Sequence, residues 1–438
     1  MNSMNLIIAL FILLFTNVYA QWEVQNSKVK VDLNDVCFVD TLYGWAVGDS
    51  STIINTTDGG LNWYKQICPV ENIKLRKLQF VSYYVGYILG SNGKILSTKD
   101  GGKTWIICES GLEEGFNLTD LSFVNEDEGW LTGYKTYFDH GIGLIIHTVD
   151  GGKSWNKQLE IKSYDQFSAK LFTAVKFQNN NTGWAFAGDY VDSFSETFVY
   201  KTSDGGTSWV NVGIVKATPL RILRIAGKDT LWGGGLKFVT SVDGGYNWNY
   251  FENEFGNASS LAPIDGLKGW VYFSNIFMQK KQVLYTTNAG KTWSEEFSLP
   301  DGFIVGMNYI NGNLWVVGNN GLIMKKKSVI TSINTKKPEI SGEFKLNQNY
   351  PNPFNSRTAI SYELANESDV ELKIYDMMGR SIKTIRYCSQ PVGAHTILWD
   401  GTNDIGHLVS SGVYIYNLIS SSKTGKNFFS SSKMIFLK

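Results

Sequence analysis

The chain has 438 residues, with 40 Lys plus Arg against 40 Asp plus Glu, so no net field directs it toward nucleic acid or an anionic membrane surface. That length allows two or three domains with full cores, and 44 glycines with 14% aromatic residues favour many short strands joined by tight turns. Four cysteines (Cys37, Cys68, Cys108, Cys388) and four histidines (His140, His147, His395, His407) lack metal-ligand spacing, and no phosphate loop or nucleophile elbow occurs, so neither a metal nor another cofactor is expected.

Leu6 to Phe15 is a run of ten apolar residues, too short to cross a bilayer, and Val18-Tyr19-Ala20 comes next with small residues at the cleavage-guiding positions. Residues 1–20 therefore read as a secretory signal peptide, with no membrane span expected in the mature chain from Gln21 onward.

The string TTDGGLNW, ending at Trp63, returns as TKDGGKTW (Trp105), TVDGGKSW (Trp155), TSDGGTSW (Trp209), SVDGGYNW (Trp248) and TTNAGKTW (Trp293). Its Asp or Asn, at 58, 100, 150, 204, 243 and 288, recurs every 42, 50, 54, 39 and 45 residues, the length of one four-stranded propeller blade. Asp-Gly-Gly makes a turn by itself: the carboxylate bonds its own backbone and the glycines accept positive φ. The aspartates are accordingly expected to be structural, and Asn288-Ala289 is expected to weaken the last turn.

A second signal precedes each box: an apolar strand, Gly-Trp or a variant, and another short strand. From Phe38 to Trp45, Phe80 to Tyr87, Phe123 to Trp130, Phe177 to Trp184, Ile225 to Trp232, Pro263 to Trp270 and Asn308 to Trp315 the offset is seven residues, which predicts seven inner hairpins with one invariant turn. Seven hairpins with six boxes leave one blade short of an outer strand. Trp22-Glu23-Val24-Gln25 resembles the strands that come after boxes (Trp63-Tyr64-Lys65-Gln66, Trp155-Asn156-Lys157-Gln158), so the amino-terminal strand is expected to complete the last blade and close the ring. Cys68 and Cys108 both lie shortly after a box Trp; they are either a pair on neighbouring outer strands or two separate thiols.

Residues 327–344 are basic, rich in Ser and Thr, and without apolar period, as in a linker. Beyond them, Val370, Leu372 and Ile374 alternate, as do Val413 and Ile415 against Tyr414 and Tyr416, between Gly and Pro turns. The chain thus reads as all-β: a seven-bladed propeller over 21–326 and then a small Ig-like sandwich over 345–438.

The boxes resemble the Asp-box, or bacterial neuraminidase repeat, and with the Gly-Trp hairpins they resemble the photosystem II stability and assembly factor family over about residues 22 to 326. That resemblance implies a non-catalytic assembly factor acting through basic surface patches; the propeller segment holds three arginines, Arg76, Arg221 and Arg224, which do not make a rich patch. LNQNYPNPFNSRTAISYEL, VELKIYDMMGR and GAHTILWDGTNDIGHLVSSGVYIYNL resemble the type A sorting domain of the type IX secretion system. This implies export through that machinery across periplasm and outer membrane, ending in release or attachment at the cell surface.

An enzymatic alternative is a glycoside hydrolase. A sialidase-like site needs an arginine cluster and a Phe/Tyr-Arg-Ile-Pro string, and the string is missing. A two-carboxylate site has candidates in Asp35 and Asp120, each three residues before the Phe of its blade, with a solvated strand start as the bland reading. The function expected is a secreted or surface-attached binding module for a protein or an envelope glycan. Its working face is set by the distance from the Gly-Trp aromatic to the box, which is 13, 13, 20, 20, 11 and 18 residues, so insertions fall on one face in blades 3, 4 and 6. They bring Tyr134, Tyr137, Phe138 and His140, then Asp189, Tyr190 and Phe194, then Phe273 and Phe277. Arg76 and Arg221, each four residues before the reference position of its blade, join them as cations for an anionic group.

Overall fold

A computed structural model describes residues 22–163, 170–188, 196–216, 219–251, 255–275, 278, 280–299, 302–327, 344–349, 351–355, 357–390, 393–404, 407–422 and 427–437. The chain divides into two units, Met1–Val329 and Ile330–Lys438. The signal-peptide segment and most of the linker lie outside the described residues.

The first unit contains seven four-stranded antiparallel sheets. Their inner strands are Leu33–Phe38, Leu75–Phe80, Asn117–Phe123, Leu171–Phe177, Leu220–Ile225, Asn257–Pro263 and Ile304–Ile310. Each packs on the next, and the last returns to the first, so the sheets form a closed ring of blades. Closure is made by the amino-terminal strand Trp22–Gln25, which pairs antiparallel with Ile323–Lys327, Trp22 opposite Lys326 and Gln25 opposite Ile323.

Blade-to-blade adhesion is aromatic. Trp45 stacks on Phe80 of the next blade at 3.6 Å, Tyr87 on Phe123 at 3.5 Å, Trp130 on Phe177 at 3.5 Å, and Trp315 on Phe38 at 3.7 Å across the closure. The box Trp of the receiving blade meets the same Phe edge-on: Trp63 on Phe38 at 6.0 Å and Trp105 on Phe80 at 5.9 Å. Each such pair is worth about 0.5–1.5 kcal/mol beyond its buried area. The Gly before Trp45, Tyr87, Trp130 and Trp184 leaves room for the Phe of its own blade, since a Cβ on Gly44 would lie 2.4 Å from Phe38. Trp22 is buried in the core of the last two blades and meets Phe297 edge-on at 4.7 Å.

The box turns are built as their composition demands. In the first, the Thr56 hydroxyl donates to Asp58 Oδ1 at 2.8 Å and accepts from Gly60 N at 2.9 Å, while Asn62 N donates to Asp58 Oδ1 at 2.9 Å. Asn288 reproduces this pattern, accepting from Thr286 Oγ1 at 3.1 Å and Thr292 N at 2.9 Å. Its amide therefore leaves the turn's bonds intact; what departs is Ala289, held at φ +58° where the first box has Gly59 at φ +73°.

The seventh inner hairpin corrects the invariant turn. Cys37 pairs with Trp45, and Gln79 with Tyr87, whereas Asn308 itself pairs with Trp315. Asn308 thus corresponds to Cys37, not to Phe38, and this turn, at Asn311-Gly312 with both residues at positive φ, is one residue shorter. Cys37, Cys68 and Cys108 are free thiols; Cys108 Sγ donates to Ser97 Oγ at 3.1 Å, and the pair with Cys68 does not form.

The second unit packs a three-stranded sheet (Lys345–Leu346, Thr358–Leu364, Gly393–Trp399) on a four-stranded one (Ser381–Gln390, Ser368–Asp376, Gly412–Ser422, Asn427–Phe436) around a shared core. Tyr414, Tyr416 and Leu418 point into it. The Asn-Pro-rich segment is structural: buried Asn349 donates to Thr358 Oγ1 at 2.8 Å, its amide donates to Tyr416 Oη at 2.9 Å, and Phe354 joins the core. Among the described residues no helix is long and apolar enough to cross a membrane.

Candidate functional site

Every inner strand carries a β-bulge one residue after its start or shortly beyond, an irregularity that sequence periodicity does not reveal. The skipped residues include Asn34, Arg76, Thr119, Thr173, Arg221 and Ser259. A bulge re-aims its extra side chain out of the ladder. Three of these side chains bond the carbonyl before the bulge of the next blade: Asn34 to Leu75 O at 2.8 Å, Thr119 to Phe172 O at 3.0 Å, and Thr173 to Leu220 O at 2.9 Å. Arg76 and Arg221 occupy the same position in blades 2 and 5 and are exposed.

Asp35, half-buried, and Asp120, buried, lie just after their bulges, and each accepts from a backbone amide of the next blade. Asp35 Oδ2 accepts from Leu78 N of the next blade at 2.9 Å, and Asp120 Oδ2 accepts from Val175 N of the next blade at 3.2 Å. They are equivalent staples between inner strands. Asp120 also pairs with Lys176 at 3.0 Å. Burial raises its pKa, yet Lys176, Lys77 and Arg224 together hold it below the usual carboxylate range, the reverse of what a general acid requires.

The blade 3 insertion is an extended hairpin, not a loose loop. Its strands Gly129–Thr136 and Gly141–Thr148 have eight residues each, against five in Gly44–Gly48 and Thr52–Thr56 of blade 1, and Tyr137 N donates to His140 O at 2.8 Å to close the turn. The Tyr137 and His140 rings stack at 4.2 Å, Tyr137 Oη donates to Glu113 Oε1 at 2.5 Å, and Lys135 pairs with Glu113 at 3.0 Å beneath the Tyr137 ring. The Tyr137 hydroxyl and Lys135 hold the Glu113 carboxyl below its ordinary value, and the His140 ring does the same for Asp139. Tyr134 lies lower on the hairpin, opposite Gly143 and half-buried. The packed platform leaves Phe138 presented at the tip, 95% exposed.

Phe273 does not belong to this face: it is fully buried and meets Trp293 edge-on at 5.3 Å, because it sits within a strand opposite Ala258 and Gln282. Asp189, Tyr190, Phe194 and Phe277 lie outside the described residues. The structure therefore gathers Tyr137, His140, Lys135 and Glu113 in one cluster on blade 3, and sets Arg76 and Arg221 at equivalent bulges three blades apart. Glu113 and Lys135 escape a reading of the sequence because their roles depend on the length of the hairpin.

Residues 15–109 and 108–230 match the family model described as photosynthesis system II assembly factor YCF48, and 349–423 match that of the FlgD Ig-like domain. The Asp-box propeller is YCF48-like in fold. The chain is 26% identical over 188 residues to the photosystem II assembly lipoprotein Ycf48 of Synechococcus sp. (strain CC9902), covering 43% of this chain and 39% of that protein. It is 35% identical over 77 residues to the chloroplast photosystem II stability/assembly factor HCF136 of Arabidopsis thaliana, covering 18% of this chain and 16% of that protein. The matched segments thus span less than half of these curated relatives. Among solved structures, YCF48 bound to D1 peptide superposes with a TM-score of 0.55 at 18% identity, over 70% of this chain and 97% of that one. YCF48 from Cyanidioschyzon merolae gives 0.55 at 14% identity, over 70% and 98%. These likenesses are of fold.

Proposed function

We propose that the chain is a non-catalytic propeller that binds a protein segment on the face of the blade 3 hairpin, and that it is exported to the cell surface or medium by type IX secretion. The observation that carries the binding half is the packed hairpin that holds Phe138 out into solvent, since ordering a platform around an exposed aromatic has no use in the fold itself. Arg76 and Arg221, exposed where other blades place small bonding residues, supply cations for an acidic group on the same partner. A propeller of the same fold has been solved with a bound peptide, which favours a peptide over a glycan. The engagement of Asp35 and Asp120 by backbone amides removes the reason for preferring a two-carboxylate hydrolase.

Export rests on the resemblance of the carboxy-terminal motifs to the type A sorting domain. It is tested by deleting Leu346 to Lys438: loss of the protein from surface and medium is expected, and unchanged levels there would refute this half. Binding is tested by a pull-down of the mature propeller against cell-envelope fractions beside a glycan array. A captured protein lost on Phe138→Ala with Arg221→Ala supports the reading, whereas glycan binding alone overturns it.

A further inference from the structure

Blades 1 to 6 are each completed through a covalent turn, and blade 7 is not. In the first six a box turn joins the third strand to the fourth; in the last, Ile323–Lys327 and Trp22–Gln25 come from opposite ends of the unit, so no turn joins them. Trp315 lies opposite Lys325 as Trp45 lies opposite Asn55, and Lys325 lies opposite Glu23 as Asn55 lies opposite Tyr64. Lys326 thus holds the place of the box residue Thr56, and Trp22 that of Trp63. The fourth strand of this blade is tethered at one end only.

The groove that receives it is specific. Four residues of Trp22–Gln25 pair with Ile323–Lys326, which fixes the register. Trp22 is buried against Phe297, with Lys326 Nζ 6.0 Å from its ring, and Gln25 Nε2 donates to Gly59 O of blade 1 at 3.0 Å. A sheet edge with a free ladder and pockets for particular side chains binds an extended strand: the ladder gives affinity and the pockets give selectivity. The groove has no means of telling the strand of its own chain from the same strand of a second copy.

The tether is short and strained. Asp32 Oδ1 accepts from Asn320 N at 3.0 Å and Oδ2 from Asn319 Nδ2 at 3.1 Å, so the chain is anchored from there on. Between Gln25 and Asp32 the backbone folds into a tight turn, in which Lys28 N donates to Asn26 Oδ1 at 3.1 Å and Val29 N donates to Ser27 Oγ at 3.4 Å. Lys28 sits in this turn at φ +60°, a left-handed conformation unfavourable for a residue with a long side chain. An extended hinge releases that strain. Residues 22–31, once extended, span about 35 Å, enough to reach an adjoining copy.

We propose that the amino-terminal strand exchanges between copies: Trp22–Gln25 of one chain docks on Ile323–Lys327 of a second copy, and the reverse, giving a domain-swapped dimer in which both rings are closed. Exchange keeps every contact of the closure and changes only the hinge, so the two forms differ by hinge strain and by concentration. At low concentration the tether favours closure within one chain. The dimer is independent of the hairpin face, because no residue of the closure belongs to it.

The test refolds the mature protein from denaturant at ~1 μM and at ~1 mM, the second near the effective concentration of a short tethered strand, and sizes it by light scattering. Monomer is expected at the first, and at least a ~10-fold larger share of dimer at the second. The contact itself is read by co-refolding two chains, one with Glu23→Cys and the other with Lys325→Cys, whose positions face each other in the closure ladder. A disulfide joining the two chains is expected at the higher concentration, and neither variant alone should form it. Lys28→Gly removes the strain of the turn and should cut the yield of joined chains about threefold or more. If Lys325→Cys does not fold, the dimer share of the unmodified chain against that of Lys28→Gly decides. Monomer at both concentrations, a dimer without the cross-chain disulfide, or a yield unaffected by Lys28→Gly overturns the inference.

Discussion

Gln25 and Trp63 tie the two ends of the ring together. Trp63 Nε1, in the first box, donates to Gln25 Oε1 at 3.3 Å, and Gln25 Nε2 donates to Gly59 O of the same box at 3.0 Å. The amino-terminal strand thus completes the last blade and also grips the turn of the first. The device repeats at Gln66, which bonds Trp105 and Gly101, and Gln158 Nε2 bonds Gly205 O at 2.8 Å. Gln25→Ala should leave a buried indole donor unpaired and lower stability by about 1–3 kcal/mol, measured by chemical denaturation. Removing residues 21–31 should cost more and lower Tm; an unaltered melt would place the closure elsewhere.

The blade without a box turn uses charge in place of that grip. Glu296 stands where Gln25 and Gln66 stand in their blades, three residues after Trp293, and its carboxylate pairs with Lys326, which is buried over the rings of Trp22 and Trp270. Lys326→Ala strands this carboxylate and should destabilise by about 3 kcal/mol, the lower end for a buried pair because both groups keep some exposure. Lys326→Met with Glu296→Gln should recover most of the loss; a single variant as stable as the parent would show that the pair is idle.

How much of this is legible in the sequence depends on which bonds are local. The box is local, so its composition announces the turn, and the pairing of Trp22 with Lys326 agrees with the likeness of Trp22–Gln25 to post-box strands. The box and Gly-Trp tryptophans serve packing, as their regular placement implies. Hidden from sequence are relations between blades: the bulges that expose Arg76 and Arg221, the amides of Leu78 and Val175 that occupy Asp35 and Asp120, and the glutamine grip itself. A constant offset also misleads, because Asn308 lies seven residues from Trp315 through a turn shortened by one.

Ala289 offers a stabilising change. It sits at φ +58° in the position that glycine fills in the other boxes, where an added Cβ on Gly101 or Gly205 would come within 3.0 and 2.9 Å of a backbone carbonyl. Left-handed backbone costs a non-glycine residue about 1–2 kcal/mol, partly offset by glycine's freer unfolded chain. Ala289→Gly should therefore stabilise by about 0.5–1 kcal/mol in a denaturant midpoint measurement, and a destabilised variant would contradict the strain.

Box carboxylates also set the response to acid. The Ser154 hydroxyl and amide, with Thr148, hold Asp150 at about 2, below its ordinary 3.8. A depressed carboxyl contributes stability that is present in full above pH 3.8 and is lost as pH falls toward 2. Asn288 shows that an amide satisfies the same turn without titrating, its Nδ2 donating to Thr292 Oγ1 at 2.8 Å. Asp150→Asn should keep the fold at neutral pH and flatten the loss of stability between pH 4 and pH 2, read from melts across that range; an identical acid limb would remove Asp150 from the account.

The proposed binding role puts the partner on the blade 3 face and not on the box face. The decisive measurement is capture of an envelope protein by the mature propeller, compared between two variants of matched folding. One carries Tyr137→Ala, Phe138→Ala and Arg221→Ala; the other carries Leu61→Ala and Tyr246→Ala, both exposed at box tips. At least a ~10-fold loss of captured protein is expected in the first variant, equivalent to about 1.4 kcal/mol, with the second unchanged. Retained capture in the first with loss in the second would contradict it.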